Sequence, residues 1–317
     1  MAEYFNDPGA DIIVTPLRLA PAALTRSAPR PLPPPQLAGF DQAIARSQPR
    51  PARADLAARE VLIQNGAISA RDPILWTRQL NQLPNGRTSP IEALDADPFS
   101  AIGRLEISFA SRKRRCSFFL VASNVALTAA HCIYAQGDGG ERASEFPLAL
   151  SLRLQARPGG EAQVLRGHTI LALRGWINPR DGAARSPYDV AAIVLEGHVS
   201  ANIHWASLRF GGPLRAGASV LAAGYPDPKP GERSFGPQAF QSAGPVLGIE
   251  GGVVAAQNAL TEGASGGPWF ALQYGHAAAI GLNSTKPVGN DARTFSPIFD
   301  ARVEDLLAAA LARQTGV

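Results

Sequence analysis

An all-β fold closed by one C-terminal helix is what this sequence predicts, and two observations carry the prediction. Short apolar runs recur between turn residues from about residue 98 onward, at 105–109, 117–121, 126–128, 148–154, 164–173, 190–195, 219–223, 246–249, 269–272, 277–282 and 294–299. Many short strands at that spacing argue for a barrel or sandwich rather than for alternating strand and helix. The second observation is that amphipathic helical periodicity in this part of the chain belongs to its last stretch. Over residues 301–313, Val303, Leu306, Leu307, Ala310 and Leu311 fall on one face, and Asp300 stands ahead of them as an N-cap.

The 317 residues leave room for a domain of about 200 residues plus an appendage. Residues 1–97 read as a leader, whether pro-segment, tether or docking arm, and 98–317 as the folded domain. The first 55 or so residues are rich in Pro, Ala and Arg and read as extended or disordered chain. Residues 52–63 fit a short amphipathic helix. An apolar fraction of 45% supports a sizeable core, and no apolar run approaches the roughly 18 residues of a membrane span. The net charge of +4 comes from scattered Arg and does not indicate a nucleic-acid partner. The acidic start, Met1-Ala2-Glu3, and the brevity of the Ile12-Ile13-Val14 run lack the pattern of a signal peptide, which points to an intracellular or non-classically exported protein.

Chemistry enters at residues 262–268, where Ser265 lies among Gly263, Gly266 and Gly267 ahead of Pro268 and an apolar run. Glycines let the backbone turn tightly and bring bare N–H groups close to a ligand, and a serine there presents its hydroxyl beside them. Such a turn is also a common strand connector. His131 stands just past an apolar strand, in Leu127-Thr128-Ala129-Ala130-His131-Cys132, and Asp189 opens the buried-looking run 190–195. Alone, each reads as structural. Together, in the order His131, Asp189, Ser265, they make a base, an orienting acid and a nucleophile.

On those three motifs, Thr128-Ala129-Ala130-His131-Cys132, Tyr188-Asp189-Val190-Ala191 and Gly263-Ala264-Ser265-Gly266-Gly267-Pro268, the chain from about 98 to 315 resembles the trypsin/chymotrypsin-like serine peptidases. Residues 222–226 and 242–246 are similar to the bacterial glutamyl-endopeptidase-like branch. The resemblance implies two antiparallel six-stranded Greek-key barrels with the active site between them. It also implies a serine endopeptidase acting on protein or peptide through His131, Asp189 and Ser265, with the N–H groups of Gly263 and Ser265 as the oxyanion hole. It further implies a disulfide between Cys116 and Cys132, and it calls for no cofactor and no metal. The primary pocket is expected along Ala259, Leu260 and Thr261 and along Asn283, Ser284, Thr285 and Lys286. An acid at the pocket base is absent where Ala259 stands, and Asn283 stands where the glutamyl branch has a histidine, so a pocket for small or uncharged side chains is expected.

Ala264 replaces the aspartate that receives a new amino terminus in the trypsin branch, so activation through that ion pair is not expected. The basic run Arg112-Lys113-Arg114-Arg115 reads as an exposed loop between two strands. Two alternatives stand beside the peptidase: a catalytically silent barrel used for binding, and a peptidase whose leader docks on a partner or blocks the cleft.

Overall fold

The computed structural model describes residues 12–17, 60–61, 87–137, 144–154, 161–177, 183–199, 203–211, 214–228, 237–273, 276–286 and 293–313. Alternating and continuous apolar runs give the strands their two buried environments. In β4 (Ile102–Ser108), Leu105 and Ile107 point inward between half-exposed neighbours, whereas β5 (Lys113–Ala122) is buried without a break from Cys116 onward. The register with β4 places Leu105 opposite Cys116 and Ile102 opposite Phe119.

The first half pairs β4, β5, β6 (Val125–Thr128), β7 (Ala149–Leu154), β8 (Gln163–Leu173) and β9 (Ala191–Leu195) in the order β8-β7-β4-β5-β6-β9, and β8 meets β9 to close a six-stranded barrel. β8 manages this by changing partner along its length. Its residues 163–166 pair with β7, and the stretch from Gly167 onward pairs with β9 across a register shift.

The second half repeats the scheme. β11 (Ser219–Gly224), β12 (Phe240–Glu250), β13 (Val253–Gln257), β14 (Pro268–Gln273), β15 (His276–Leu282) and β16 (Arg293–Pro297) run in the order β16-β13-β12-β11-β14-β15. A bridge between Thr285 and Phe295 brings β16 back beside the end of β15. In both halves the first three strands are consecutive neighbours and the last three return in reverse, as a chymotrypsin-like double barrel requires. The C-terminal helix, Ala301–Ala312, has Asp300 as its N-cap, accepting from the Arg302 N–H, and buries Val303, Leu306, Leu307 and Ala310. Leu311 is only partly buried.

Packing begins earlier than the expected boundary at residue 98. β3 (Thr88–Pro90) pairs with β12, Ile91 N–H donates to Ala239 O, and Ile91 and Leu94 are 2% and 1% exposed. Two short leader segments are also paired as strands, the first within the stretch expected to be extended or disordered and the second where a helix was expected. β1 (Ile12–Pro16) is not disordered: it pairs antiparallel with β8, Ile12 opposite Leu173 and Val14 opposite Leu171, and its Ile12, Ile13 and Val14 are buried. β-Branched residues suit a pleated, covered surface, and composition over 55 residues hid a run of three. Glu60–Val61 (β2) pairs with β10 (Ser207–Arg209) rather than forming a helical turn; the rest of the expected 52–63 helix lies outside the described residues.

If β1 belongs to the same cooperative unit as the first barrel, Val14→Asp buries an unpaired carboxylate and should lower stability by ~2 kcal/mol or more. Urea unfolding followed by circular dichroism reads this directly, and an unchanged midpoint would detach β1 from the unit.

Candidate active site

His131 occupies the first turn of a short helix, Ala130–Ile133, that starts two residues after β6 ends. Asp189 follows a 3-10 segment, Ala183–Tyr188, and precedes β9. Because β6 and β9 are paired, with Thr128 opposite Ala191, the two residues emerge side by side from one end of the first barrel. Asp189 is fully buried. Its Oδ1 accepts from the His131 N–H at 2.8 Å, and its Oδ2 accepts from His131 Nδ1 at 2.8 Å and from the Ser284 hydroxyl at 2.5 Å. Burial pushes the Asp189 carboxyl up, but the His131 charge and the hydrogen bonds from His131 and Ser284 outweigh it and hold it below its ordinary value.

Two further contacts hold His131, one on its main chain and one on its ring. The Arg114 guanidinium donates to His131 O, and Trp176 packs against the ring with centroids 6.2 Å apart. Trp176 is itself capped by Arg185, whose guanidinium lies 4.6 Å from the ring centroid and donates to Trp176 O. Arg114 belongs to β5, so the basic run enters a strand rather than forming the loop expected for it. Burial, with Arg112 nearby, pushes its guanidinium down, while Asp189 pulls it up.

Ser265 sits in the turn between β13 and β14, across a cleft of about 1430 Å³ that His131, Gly263 and Ser265 all line. The turn is pressed against the strands of the first barrel. Gly266 has φ 84°, and a Cβ there would stand 2.2 Å from Thr128 Oγ1 and 2.4 Å from Ser117 O; at Gly263, with φ 86°, it would meet Asp227 N at 2.6 Å. Only glycine combines that φ with that approach.

Most main-chain groups of the turn have partners. Ala264 N–H donates to Thr261 O, Gly266 N–H to Asn283 O and Gly267 N–H to Ala264 O. Gly263 O accepts from the Ser117 hydroxyl, Ser265 O from the Ser117 N–H, and Ala264 O also from Asn283 Nδ2. The N–H groups of Gly263 and Ser265 donate to no acceptor among the described residues.

The expected pocket residues divide. Asn283 is 4% exposed and its amide is saturated: Nδ2 donates to Ala223 O and Ala264 O, and Oδ1 accepts from Asn258 Nδ2 and Trp269 Nε1. It braces the turn from behind. Ser284 is bonded to Asp189, Leu260 is buried, Ala259, Thr261 and Lys286 are half-buried, and Thr285 is exposed. Ser117, Arg114 and Trp176 were not picked out as site residues. The available signal was that Ser117 follows Cys116 directly and Arg114 lies two residues before it, Cys116 forming a disulfide with Cys132.

A profile of the trypsin-like peptidase domain matches residues 116–280. The chain belongs to this family. Its fold is similar to that of a Glu endopeptidase (TM-score 0.59, 18% identity, 72% of this chain and 98% of the other) and of the protease Anisep from Arthrobacter nicotinovorans (0.56, 18%, 71% and 100%). A thermostable serine protease from an extremophilic microorganism is likewise similar (0.54, 23%, 68% and 98%).

By sequence, the peptidase is 28% identical over 139 residues to a protein named extracellular metalloprotease from Bacillus subtilis (strain 168), a match spanning 43% of this chain and 42% of that one. The metal implied by that name finds poor donors here. Among the described residues the one cluster at ligand distance is Cys116, His131 and Cys132, and both sulfurs are committed to the disulfide, with no thiolate to offer.

The lowered carboxyl of Asp189 has a pH consequence. Its contribution to stability is complete above the ordinary carboxylate pKa and drains away as pH falls through the lowered folded-state value. Between about pH 2 and 5, stability should therefore rise with pH more steeply in the wild type than in Asp189→Asn. Parallel curves in urea titrations would remove Asp189 as an acid-sensitive group.

Proposed function

We propose that this chain is a serine endopeptidase that cleaves peptide bonds through an acyl-enzyme on Ser265. The observation that carries the reading is the turn at 263–267. Its N–H groups are bonded within the protein except for those of Gly263 and Ser265, in the cleft that also receives an imidazole tied to a buried carboxylate. Ser265 Oγ attacks the scissile carbonyl carbon as His131 takes its proton. The carbonyl oxygen becomes an oxyanion facing the Gly263 and Ser265 N–H groups. The C–N bond then breaks, and His131 returns the proton to the departing amine. Water, deprotonated by the same imidazole, releases the acid and restores Ser265. Asp189 holds Nδ1 as the protonated nitrogen, leaving Nε2 for the proton transfers, and stabilises the imidazolium once it forms.

Specificity follows from what the pocket lacks. The Asn283 amide is filled by protein partners, and Ala259 offers no charge, which supports cleavage after small or uncharged residues. Neutral hydrogen bonds from Ser117 and Asn283 brace the turn where Ala264 has no carboxylate, which supports activity without an ion pair to a new amino terminus. We keep the leader as a separate functional segment. β1 docks it in cis on the first barrel, ahead of a domain whose packing starts by residue 88. The disulfide suits an oxidising space, which favours the exported alternative over the intracellular one.

A fluorophosphonate probe should label the wild-type chain and leave Ser265→Ala unlabelled, with peptide hydrolysis falling by about 10⁴-fold or more in the variant. EDTA should leave labelling unchanged. Labelling that persists in Ser265→Ala, or an absence of labelling in both, sinks the serine mechanism. In a peptide-library digest, cuts confined to Lys/Arg or to Glu would refute the uncharged pocket.

A further inference from the structure

We propose that Ser117 is a positioning residue for the oxyanion turn: its hydroxyl fixes the Gly263 peptide so that the Gly263 and Ser265 N–H groups stay aimed at the developing oxyanion. The proposal rests on the serine-peptidase reading of the same cleft.

Ser117 is fully buried on β5, next to Cys116, and makes four hydrogen bonds to three separate segments. Its N–H donates to Ser265 O at 2.7 Å, and its carbonyl accepts from Thr128 Oγ1 at 2.8 Å. Its hydroxyl donates to Gly263 O at 2.9 Å and accepts from the Tyr225 N–H at 2.8 Å. One proton on the hydroxyl serves one acceptor, so the direction of both hydroxyl bonds is fixed by chemistry: a carbonyl takes the proton and an N–H takes a lone pair.

Gly263 needs such an external constraint. With φ at 86° and no Cβ, its own backbone resists rotation less than that of any other residue. Among the described residues, the hydroxyl of Ser117 is the partner of its carbonyl. Without that donor, the carbonyl is driven to find another, because a carbonyl left unpaired away from water loses the bonds it had in the unfolded chain. Rotation of the 263–264 peptide would carry the flanking N–H groups off target. Tyr225, whose backbone carbonyl a Cβ on Gly263 would meet at 2.7 Å, is held by the same hydroxyl, so the floor under the turn loosens with it. Ser117 has no hydrogen bond to His131 or Asp189, and its loss should fall on the step in which negative charge develops.

The test uses the full chain with p-nitrophenyl butyrate as substrate and phenylboronic acid, which forms a tetrahedral adduct on a nucleophilic serine, as a transition-state mimic. Ser117→Ala should lower kcat by about 10- to 100-fold with KM within about twofold, and raise the phenylboronic acid Ki by a similar factor. The pH midpoint of kcat/KM should stay in place, and Ser117→Thr, which keeps a hydroxyl, should retain more of kcat than the alanine variant. Wild-type kcat in Ser117→Ala, a loss lying wholly in KM, an unchanged Ki, or a threonine variant no better than alanine at equal melting temperature overturns the proposal. Should Ser117→Ala fail to fold, Ser117→Cys, a weaker donor of similar size, carries the comparison: kcat and Ki must worsen together, and a Ki that does not move counts against. If the wild type itself neither labels with fluorophosphonate nor turns over ester, the serine-peptidase reading fails and takes this one with it.

Discussion

A main-chain turn folded into a protein interior must give its own N–H and C=O groups partners, and in residues 263–267 the N–H groups of Ala264, Gly266 and Gly267 are bonded while those of Gly263 and Ser265 are not. The rest of the structure serves that constraint. Ser117 reaches the turn from the first barrel and Asn283 reaches it from the second, so the turn is held by both halves. Glycine at 266 lets it press against Thr128 and Ala129, the residues that lead into His131, and glycine at 263 lets it press against Tyr225 and Asp227. The acceptor-free N–H pair is a product of this bracing: with the Gly263, Ala264 and Ser265 carbonyls and the Ala264, Gly266 and Gly267 N–H groups tied, the turn has no cheap way to rotate and fill the two N–H groups that are left.

The repeated strand order explains how His131, Asp189 and Ser265, distant in the chain, are brought to one cleft. The first barrel sends out His131 and Asp189 from the paired ends of β6 and β9, and the second sends out Ser265 from the connection between β13 and β14. Electrostatics is concentrated at one point. Asp189 is a carboxylate without water contact, kept ionised by three hydrogen-bond donors, two of them from His131. A buried charge bonded in this way holds its imidazole partner in one orientation. The disulfide from Cys116 to Cys132 brackets this region, joining the residue before Ser117 to the residue after His131.

What could be read in the sequence was what local pattern encodes. The long apolar runs became strands close to where they stood, and the C-terminal helix kept its cap. β13 was overlooked because its Val-Val-Ala-Ala-Gln run carries alanines, which favour strands weakly, although the Gly251-Gly252 pair ahead of it is a hairpin signal. His131, Asp189 and Ser265 stood out as candidates because each lies in a short local motif, and the structure pairs the first two and places the third on the same cleft. Ser117 and Asn283 were not legible in their present roles, because bracing is a matter of contacts across 146 and 19 residues of chain and leaves no local spacing to find. Arg114 was hidden by its neighbours: among four basic residues in a row, nothing in the pattern says which one turns inward to the His131 carbonyl.

The pairing of β1 with β8 bears on what a molecule of this protein is when counted by mass. Residues 12–16 share a ladder with residues 169–173, while the chain between them and β3 runs on for some seventy positions. A single cut in that connection would leave two polypeptides in one sheet, with Ile12, Ile13 and Val14 still covered. Such a molecule would run as two species under denaturing conditions and as one in its native state. Its amino-terminal piece would be a subunit in every practical sense, retained by strand pairing where a peptide bond had been.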